Sequence, residues 1–488
     1  MERHSGVLLH ISSLPSDYGI GTFGDEARRF VRFLNKAGQT YWQILPLGHT
    51  GFGDSPYSSF STFAGNPYFI DLDYLRKDGL LKKSDYAGLN WKSKATCVNY
   101  GQLYKLRYPI LRKAVSNFVD NNEYKKFCRD NKWLDDYAMF MAIKDKFNGC
   151  DWLNWPKQYR LRDAETLKKF KKTNKQDIRF WKVIQYIFFK QWYELKKYAN
   201  DRGIRIYGDC PIYVALDSSD VWSNREIFKL DKNGRPKEVA GVPPDDFTGL
   251  GQLWGNPLYN WNYLKKTNYD WWVKRVKHLL TMYDAMRIDH FIGIESYYAI
   301  KYGATNGRNG RHYKGPGINL INALKQNCKG EIIAEDLGVN VTDKVRKLLK
   351  DAGYPGMRIL RYGFGWDMNN EHLTHNHIEN CVVYLTSHDS ETCMQWYKEA
   401  SKKEIKFAKD YCHIKKDEFN WGMIKEVERS IAYLVIIPAQ DLLGLGKKAR
   451  MNLPSTVGNN WSWRINKNDL NNDIARKLYE ISKENKRI

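Results

Sequence analysis

Three acidic motifs in the second half of the chain carry side chains suited to nucleophilic and acid–base chemistry. In Ala285–Phe291, Arg287 and Asp289 lie two residues apart within a short apolar run. Because alternate residues of a β-strand share a face, the guanidinium and the carboxylate are expected side by side. The cation should favour the charged form of Asp289, which a carboxylate nucleophile requires. A structural ion pair is the alternative for this motif taken alone.

Two other carboxylates follow similar apolar runs. Glu331–Gly338 brings Glu335 to the end of a run, and Thr386–Ser390 places Asp389 beside His388. A glutamate near other carboxylates in a poorly hydrated cleft has a raised pKa and can donate a proton, although Glu335 alone could equally cap the following helix. Since His388 and Asp389 are adjacent, both can face one site only where the strand has already turned.

Together, three carboxylates at strand ends indicate glycosyl transfer. In this chemistry one ionised acid attacks the anomeric carbon, a second protonates the leaving oxygen, and the third helps to bind the distorted sugar. The separation of the carboxyl groups distinguishes retention from inversion of the anomeric configuration, and the sequence leaves that choice open.

Eight short β-branched or aliphatic runs alternate with longer amphipathic segments, as βα units do around a parallel sheet. The runs are Gly6–Ile11, Thr40–Leu47, Ile204–Val214, Ala285–Phe291, Glu331–Leu337, Met357–Tyr362, Cys381–Thr386 and Tyr433–Pro438. Helical patterns such as Asp25–Ala37 and Trp181–Asp201 lie between them and end at glycines. Eight strands close a (β/α)8 barrel, so the sequence predicts an α/β fold of the TIM-barrel class with its chemistry at the carboxyl ends of the strands.

The interval from the second run to the third, approximately residues 50–203, is too long for one crossover helix. We assign it to inserted, largely helical subdomains at the carboxyl-terminal rim of the barrel. Neither an internal repeat nor a Ser/Gly/Pro-rich linker divides the chain. Residues 1–488 are therefore predicted to form a single catalytic domain.

The composition limits the class of protein. The 488 residues are 42% hydrophobic and 27% charged, as in a folded globular chain. The net charge of +23 could attract nucleic acid, an anionic membrane or an acidic substrate, but no RNP-like, KH-like or finger pattern accompanies the lysine-rich stretches. No apolar run approaches the ~18–20 residues of a membrane span. We expect a cytoplasmic protein without a nucleic-acid or membrane partner.

Two further motifs suggest a cofactor or a metal and fail on their context. Gly19–Gly24 matches the G-x-G-x-x-G dinucleotide pattern, but the turn before it is not tight and the next strand lacks the acid that binds ribose. His372, His375 and His377 have a spacing that fits no common zinc site. The sequence therefore predicts neither a cofactor nor a metal ion.

Many collinear segments, besides the three acidic motifs, resemble the 4-α-glucanotransferase family of amylomaltases and disproportionating enzymes, which is related to the α-amylases. The segments are Ser5–Pro15, Tyr41–Gly48, Gly53–Phe60, Ala64–Pro67, Gly208–Ile212, Ala240–Asp245, Gly251–Tyr259, Gln440–Gly446, Ala449–Asn452 and Asn460–Arg464. The resemblance covers nearly the whole chain. It implies an α-1,4-glucan donor and a glucose or malto-oligosaccharide acceptor.

The resemblance also implies a role for each site residue. Asp289 is expected to be the nucleophile, Glu335 the general acid/base and Asp389 the transition-state stabiliser. The expected sugar-binding residues are Arg287, His388, Ser55, Tyr57, Asp209, Gln252, Trp254 and Asn460. Gln252 and Trp254 lie on a loop, residues 241–260, that covers the cleft in the family. We place that loop in a second insertion at approximately residues 215–284.

Six positions depart from the usual family pattern. Ile292 stands where an arginine is usual, Asp246 where a tyrosine is usual and Ser455 where a glycine is usual. In the third acidic motif, Thr386, Ser387 and Ser390 stand where glycine, threonine and asparagine are usual. None of these changes removes a catalytic carboxylate. We expect them to affect chain-length preference, loop dynamics and the ratio of transfer to hydrolysis.

The expected activity is retaining transfer of a glucanosyl segment to the 4-hydroxyl of glucose or another glucan through a covalent Asp289 intermediate. Two alternatives stay open. An α-amylase-like hydrolase shares the carboxylates but normally adds a C-terminal β-sandwich, for which the roughly 50 residues after the eighth strand are too few. A catalytically silent glucan-binding protein would have no need of three acids.

Overall fold

The computed structural model describes residues 2–92, 94–244, 248–338, 341–415 and 418–488. In this part of the chain there are twelve β-strands: β1 His4–Leu8, β2 Tyr41–Gln43, β3 Arg205–Pro211, β4 Glu238–Val242, β5 Gln252–Pro257, β6 Ala285–Asp289, β7 Ser296–Lys301, β8 Gly310–Lys314, β9 Glu331–Ala334, β10 Gly356–Ile359, β11 Cys381–Tyr384 and β12 Leu434–Pro438.

The same residues form nineteen α-helices. They are α1 Asp25–Lys36, α2 Leu72–Lys77, α3 Tyr100–Ser116, α4 Asn122–Asp130, α5 Trp133–Lys146, α6 Lys157–Arg160, α7 Ala164–Thr173, α8 Lys175–Asn200, α9 Ser219–Ser223, α10 Trp261–Lys266, α11 Asp270–Met282, α12 Ile292–Glu295, α13 Ile318–Asn327, α14 Asp343–Ala352, α15 Cys393–Glu399, α16 Lys402–Tyr411, α17 Phe419–Arg429, α18 Ala439–Leu442 and α19 Asn472–Glu484.

Eight strands form one parallel sheet that curls into a barrel. Their order is β10, β11, β12, β1, β2, β3, β6, β9, and all paired neighbours are parallel. The two end strands meet where the Ala334 N–H donates to the Pro355 carbonyl at 2.9 Å. The fold is therefore a nearly closed (β/α)8 barrel. Each barrel strand overlaps one of the eight runs predicted from the sequence.

The barrel strands can be predicted from the sequence because they are covered on both faces. All five residues of β12, Leu-Val-Ile-Ile-Pro, are buried, and such strands appear as continuous apolar runs. The flanking helices end as predicted. Gly38 after α1 and Gly203 after α8 have φ values of 67° and 74°, the left-handed conformation that glycine adopts readily.

The segment between β2 and β3 folds into helices α2–α8. The long helix α8 contacts α3, α4 and α5 on one side and β3 on another, so it joins these helices to the barrel. The division of the chain into insertions at approximately residues 50–203 and 215–284 stays a prediction.

A second sheet, which the sequence analysis did not predict, lies beside the barrel. Its four strands are antiparallel in the order β5, β4, β7, β8. All four strands are short, and β8 is mostly exposed. A strand is recognised in a sequence by a regular alternation of apolar and polar residues, and short or exposed strands show this alternation poorly. The material outside the barrel is thus mainly helical but includes this sheet.

The glycine pattern at residues 19–24 serves close packing. A Cβ atom at Gly21 would lie 1.9 Å from the Ile11 carbonyl oxygen, and one at Gly24 would lie 2.0 Å from the Asp71 carboxylate. After β12, residues 439–488 contain helices and no strand. None of the described helices is long and apolar enough to cross a membrane.

Candidate active site

The candidate site lies where the carboxyl ends of β6, β9 and β11 come together. β6 ends at Asp289, Glu335 directly follows β9, and Asp389 comes shortly after β11. The Glu335 N–H donates to the Ile288 carbonyl at 3.0 Å, and the Phe291 N–H donates to the Glu335 carbonyl at 2.9 Å. These bonds continue the β6–β9 pairing beyond the strand ends, so Asp289 and Glu335 are held on adjacent backbones.

Backbone groups fix the Glu335 carboxyl group. The N–H of His290 donates to Oε2 at 2.6 Å, and the N–H of Leu337 donates to Oε1 at 2.9 Å. Burial raises the pKa of Glu335 to about 8, the negative charge of Asp289 adds to this, and Arg287 and the two N–H groups oppose it. Glu335 is therefore mostly protonated at neutral pH, as a general acid must be.

Arg287 and Asp289 lie side by side, as their two-residue spacing predicts. Nη2 of Arg287 is 2.7 Å from Oδ1 of Asp289. Burial nevertheless raises the pKa of Asp289 to about 6, and Arg287 offsets only part of this rise. Arg287 thus favours the charged form of Asp289 as expected, although loss of water from the carboxylate outweighs this one adjacent positive charge. Asp289 still stays mostly ionised at neutral pH.

A hydrogen-bonded chain connects Asp289 to His388. The Tyr57 hydroxyl donates to Oδ2 of Asp209 at 2.7 Å and lies 2.8 Å from Nε2 of His388. Nη2 of Arg287 donates to both the Tyr57 oxygen, at 3.1 Å, and Asp209 Oδ2, at 2.7 Å. Asp209 is buried, so it holds Arg287 and Tyr57 from within the barrel. Direct contact between Asp209 and a sugar stays a prediction.

Asp389 is held from two directions. Nε2 of His388 is 3.2 Å from Oδ2, and the Asn452 amide donates to Oδ1 at 2.7 Å. Burial alone would raise the pKa of Asp389, but the neighbouring imidazole and the hydrogen bonds from His388 and Asn452 outweigh it and lower the pKa. Of the three carboxyl groups, Glu335 thus holds its proton most tightly and Asp389 least tightly.

Comparison with known proteins identifies the family of this chain. A family model described as 4-alpha-glucanotransferase matches residues 9–470. The chain belongs to this family. It is 49% identical over 482 residues to the 4-alpha-glucanotransferase of Clostridium butyricum, with 97% of this chain and 99% of that protein covered. The solved amylomaltase from Streptococcus agalactiae in complex with acarbose is 41% identical, with a TM-score of 0.97 and 100% of both chains covered. The chain is accordingly an enzyme of the 4-alpha-glucanotransferase type.

Strand β5 carries two of the predicted sugar-binding residues, Gln252 and Trp254. The Trp254 indole N–H donates to Oε1 of Gln252 at 3.0 Å. Its ring meets His290 edge-on, with centroids 4.8 Å apart and planes at 88°. Trp254 also lines a groove of about 360 Å³ together with Phe60 and Asp217. Within the expected covering loop, residues 245–247 lie outside the described part of the chain, and Asp246 is one of them.

Ser55 and Asn460 lie in loops of this family member without touching the three acids. The Ser55 hydroxyl accepts a hydrogen bond from the Tyr57 N–H at 3.3 Å. Oδ1 of Asn460 accepts from the Leu453 N–H at 3.0 Å, and its amide nitrogen bonds to Thr456. Ser55 thus supports the turn that presents Tyr57, and Asn460 closes a surface loop. Their contacts with sugar stay predictions.

The structure also brings in groups that the sequence analysis did not single out. The Trp461 ring lies 5.7 Å from that of Tyr57 and 6.2 Å from that of His388. Asn452 bonds to Asp389, as described above, and Arg450 donates to the Asp389 carbonyl at 2.9 Å. These residues belong to the segments Ala449–Asn452 and Asn460–Arg464, which resemble the family in sequence. Nothing in the spacing of these segments predicts that they contact Asp389 or its neighbours.

The departures from the family pattern have local consequences where the structure describes them. Ile292 is a buried residue of α12, so this position carries an apolar side chain in place of a charged one. The Ser390 hydroxyl accepts from the Ser387 N–H at 3.0 Å and stabilises the turn that carries Asp389. Ser455 has a φ of 64°, a left-handed conformation that glycine adopts more easily.

Among the described residues, no group of three His, Cys, Asp or Glu could hold a metal ion.

Proposed function

We propose that this enzyme transfers a glucanosyl segment of an α-1,4-glucan to the 4-hydroxyl of glucose or another glucan by a retaining double displacement. In the first step the Asp289 carboxylate attacks the anomeric carbon while Glu335 protonates the departing glycosidic oxygen. The glucanosyl unit is then covalently bound to Asp289. In the second step Glu335 takes the proton of the acceptor 4-hydroxyl, whose oxygen attacks the same carbon and releases Asp289.

The observation that carries this proposal is the placement of two carboxyl groups on neighbouring strand ends in different surroundings. Burial raises the pKa of Glu335 to about 8 and that of Asp289, which accepts a 2.7 Å hydrogen bond from Arg287, only to about 6. Two groups with separated pKa values can supply an acid and a nucleophile to one bond.

The remaining groups would orient the sugar and stabilise the charge that develops on it. Asp389, which keeps its negative charge, is suited to stabilise an oxocarbenium-like transition state. Arg287 and His388 lie at the ends of the hydrogen-bonded chain through Tyr57, where they can bind hydroxyl groups of the cleaved glucose unit. We assign further sugar contacts to Ser55, Tyr57, Asp209, Gln252, Trp254 and Asn460.

Transfer instead of hydrolysis requires an acceptor sugar to outcompete water for the Asp289 intermediate. Trp254 stands on β5 beside His290, next to Asp289 in the chain, so its ring is placed to exclude water from this point. We propose that β5 and the adjoining residues of the 241–260 segment shield the intermediate until an acceptor binds.

The test is incubation with maltotriose alone, followed by analysis of all products over time. Glucose together with chains longer than maltotriose is the expected result, and Asp289→Asn should abolish it while glucan binding persists. Glucose and maltose without longer chains would show a hydrolase. Binding without any turnover would show a silent glucan-binding protein.

A further inference from the structure

Trp366 presents a flat aromatic face to solvent outside the catalytic cleft. It is 47% exposed, and Met368 is 52% exposed. The indole stacks on Phe407 of α16, with ring centroids 4.8 Å apart and planes at 22°, and Nζ of Lys403 lies 5.0 Å from its centroid. Phe407 therefore covers one face of the ring, and much of the rest of the indole is exposed to solvent.

A second layer of aromatic rings fixes the orientation of this indole. Phe407 meets Phe364 at 5.9 Å and Tyr411 at 6.1 Å, both edge-on. Phe364 in turn stacks on Trp396 at 5.4 Å. A ring held in this way loses little conformational freedom when a ligand covers its open face.

The backbone that displays Trp366 is also held in place. Its φ of 71° is in the left-handed region, which is rare for a bulky residue. Nε2 of His375 and the amide of Asn376 lie 2.8 Å and 2.7 Å from the Met368 carbonyl oxygen, and the Asn370 amide donates to the Tyr362 carbonyl at 3.0 Å. Such conformations persist where the surroundings impose them, and they are concentrated at ligand sites.

Trp366 stands on the same side of the barrel as the three acids. It follows β10, which lies in the barrel sheet next to β11. The Arg361 N–H, in the turn that follows β10, donates to the Leu385 carbonyl at 3.2 Å, four positions before Asp389. Trp366 is five positions after Arg361, which limits the distance between their Cα atoms to about 18 Å.

Building on the function proposed above, we infer that Trp366 and Met368 form a surface binding site for α-1,4-glucan chains, separate from the catalytic cleft. The apolar faces of glucose units would stack on the open indole face. Asp367, which is exposed and follows Trp366 in the chain, and Lys403, whose Nζ lies 5.0 Å from the ring centroid, provide an acceptor and a donor for the sugar hydroxyls. The site would retain long glucans near the cleft and would leave maltotriose unaffected.

The experiment measures binding of glycogen by electrophoresis in gels that contain increasing glycogen concentrations. All proteins carry Asp289→Asn, so the glucan is not consumed and the contribution of the cleft is the same in each. Trp366→Ala should raise the apparent Kd by about fivefold, whereas Trp366→Phe, which keeps a flat ring, should change it by less than about twofold. Tyr302→Ala removes another half-exposed aromatic residue, between β7 and β8, and should have no effect.

A second assay uses the active protein with maltotriose. Trp366→Ala should keep kcat/KM for maltotriose within about twofold, while the KM for amylose rises by the same factor as the glycogen Kd. Unchanged retardation by glycogen in Trp366→Ala would overturn the surface site, even if maltotriose is still disproportionated. A parallel loss of maltotriose activity would also overturn it, because Trp366 would then serve the cleft or the fold. Failure of the parent enzyme to convert maltotriose would instead refute the proposed function.

Discussion

The backbone N–H of His290 donates a 2.6 Å hydrogen bond to the carboxyl group of Glu335, so the residue that follows the proposed nucleophile holds the proposed acid. His290 has a φ of 52°, and its ring packs edge-on against Trp254 of β5. One residue thus links the nucleophile, the acid and the strand beside the cleft.

The proton affinities of Glu335 and Asp289 predict a bell-shaped pH dependence of kcat/KM. Activity should fall as the pH rises through about 8, because Glu335 loses the proton that it donates. It should fall as the pH decreases through about 6, because Asp289 becomes protonated. The two apparent pKa values belong to the interacting pair. Initial rates with maltotriose between pH 4 and pH 10 measure the profile, and constant activity from pH 7 to pH 10 would refute the role of Glu335.

Tyr57→Phe removes the hydroxyl between Asp209 and His388 and keeps the ring that stacks on His388. We expect kcat/KM to fall about 10- to 100-fold, since hydrogen bonds to charged groups contribute about 1.5–3 kcal/mol. Tyr104→Phe removes an exposed hydroxyl on α3 and is the matched control. Equal activity of the two variants would show that the chain through Tyr57 does not orient the catalytic groups.

Asn452→Ala removes the 2.7 Å hydrogen bond that lowers the pKa of Asp389. We expect kcat to fall about tenfold, in line with the loss of about 1.5 kcal/mol from one charge-assisted bond. Asn452→Asp should be more harmful than Asn452→Ala, because it also places a second negative charge against Asp389. Equal kcat of Asn452→Asp and the parent enzyme would contradict this role of Asn452.

Trp254→Ala should increase hydrolysis relative to transfer, because water would gain access to the Asp289 intermediate. Leu253→Ala is the control, since adjacent residues of β5 point to opposite faces and Leu253 is exposed to a similar extent. The ratio follows from total reducing ends, which only hydrolysis increases, and from the longer chains, which only transfer makes. If both variants kept the ratio of the parent enzyme, the shielding role of β5 would be excluded.

The sequence was sufficient for the barrel because its strands are covered on both faces. Each of them is a short apolar run, and an acid of the site lies at the end of β6, directly after β9 and shortly after β11. The second sheet could not be predicted in the same way. β4 pairs with β7, more than fifty residues further along the chain, and the exposed β8 has no apolar alternation. The local pattern of apolar and polar residues does not predict which short strands pair over a long distance in the chain.

Some properties of the site also could not be predicted from local sequence patterns. The two-residue spacing of Arg287 and Asp289 was enough to predict their contact. It was not enough to predict the pKa of Asp289, which depends on how completely the folded chain removes water from the carboxylate. The contact of Asn452 with Asp389 joins residues 63 positions apart in the chain, so it too requires the fold.

The most direct test of the account is to trap the Asp289 intermediate. Glu335→Gln should react with α-maltosyl fluoride, because fluoride leaves without protonation, but it lacks the base that activates the acceptor. After acid quenching and proteolysis, mass spectrometry should find one maltosyl unit on the peptide that contains Asp289, and none after the same treatment of the Asp289→Asn, Glu335→Gln double variant. A maltosyl unit on Asp389, or fluoride release without any adduct, would contradict the proposed mechanism.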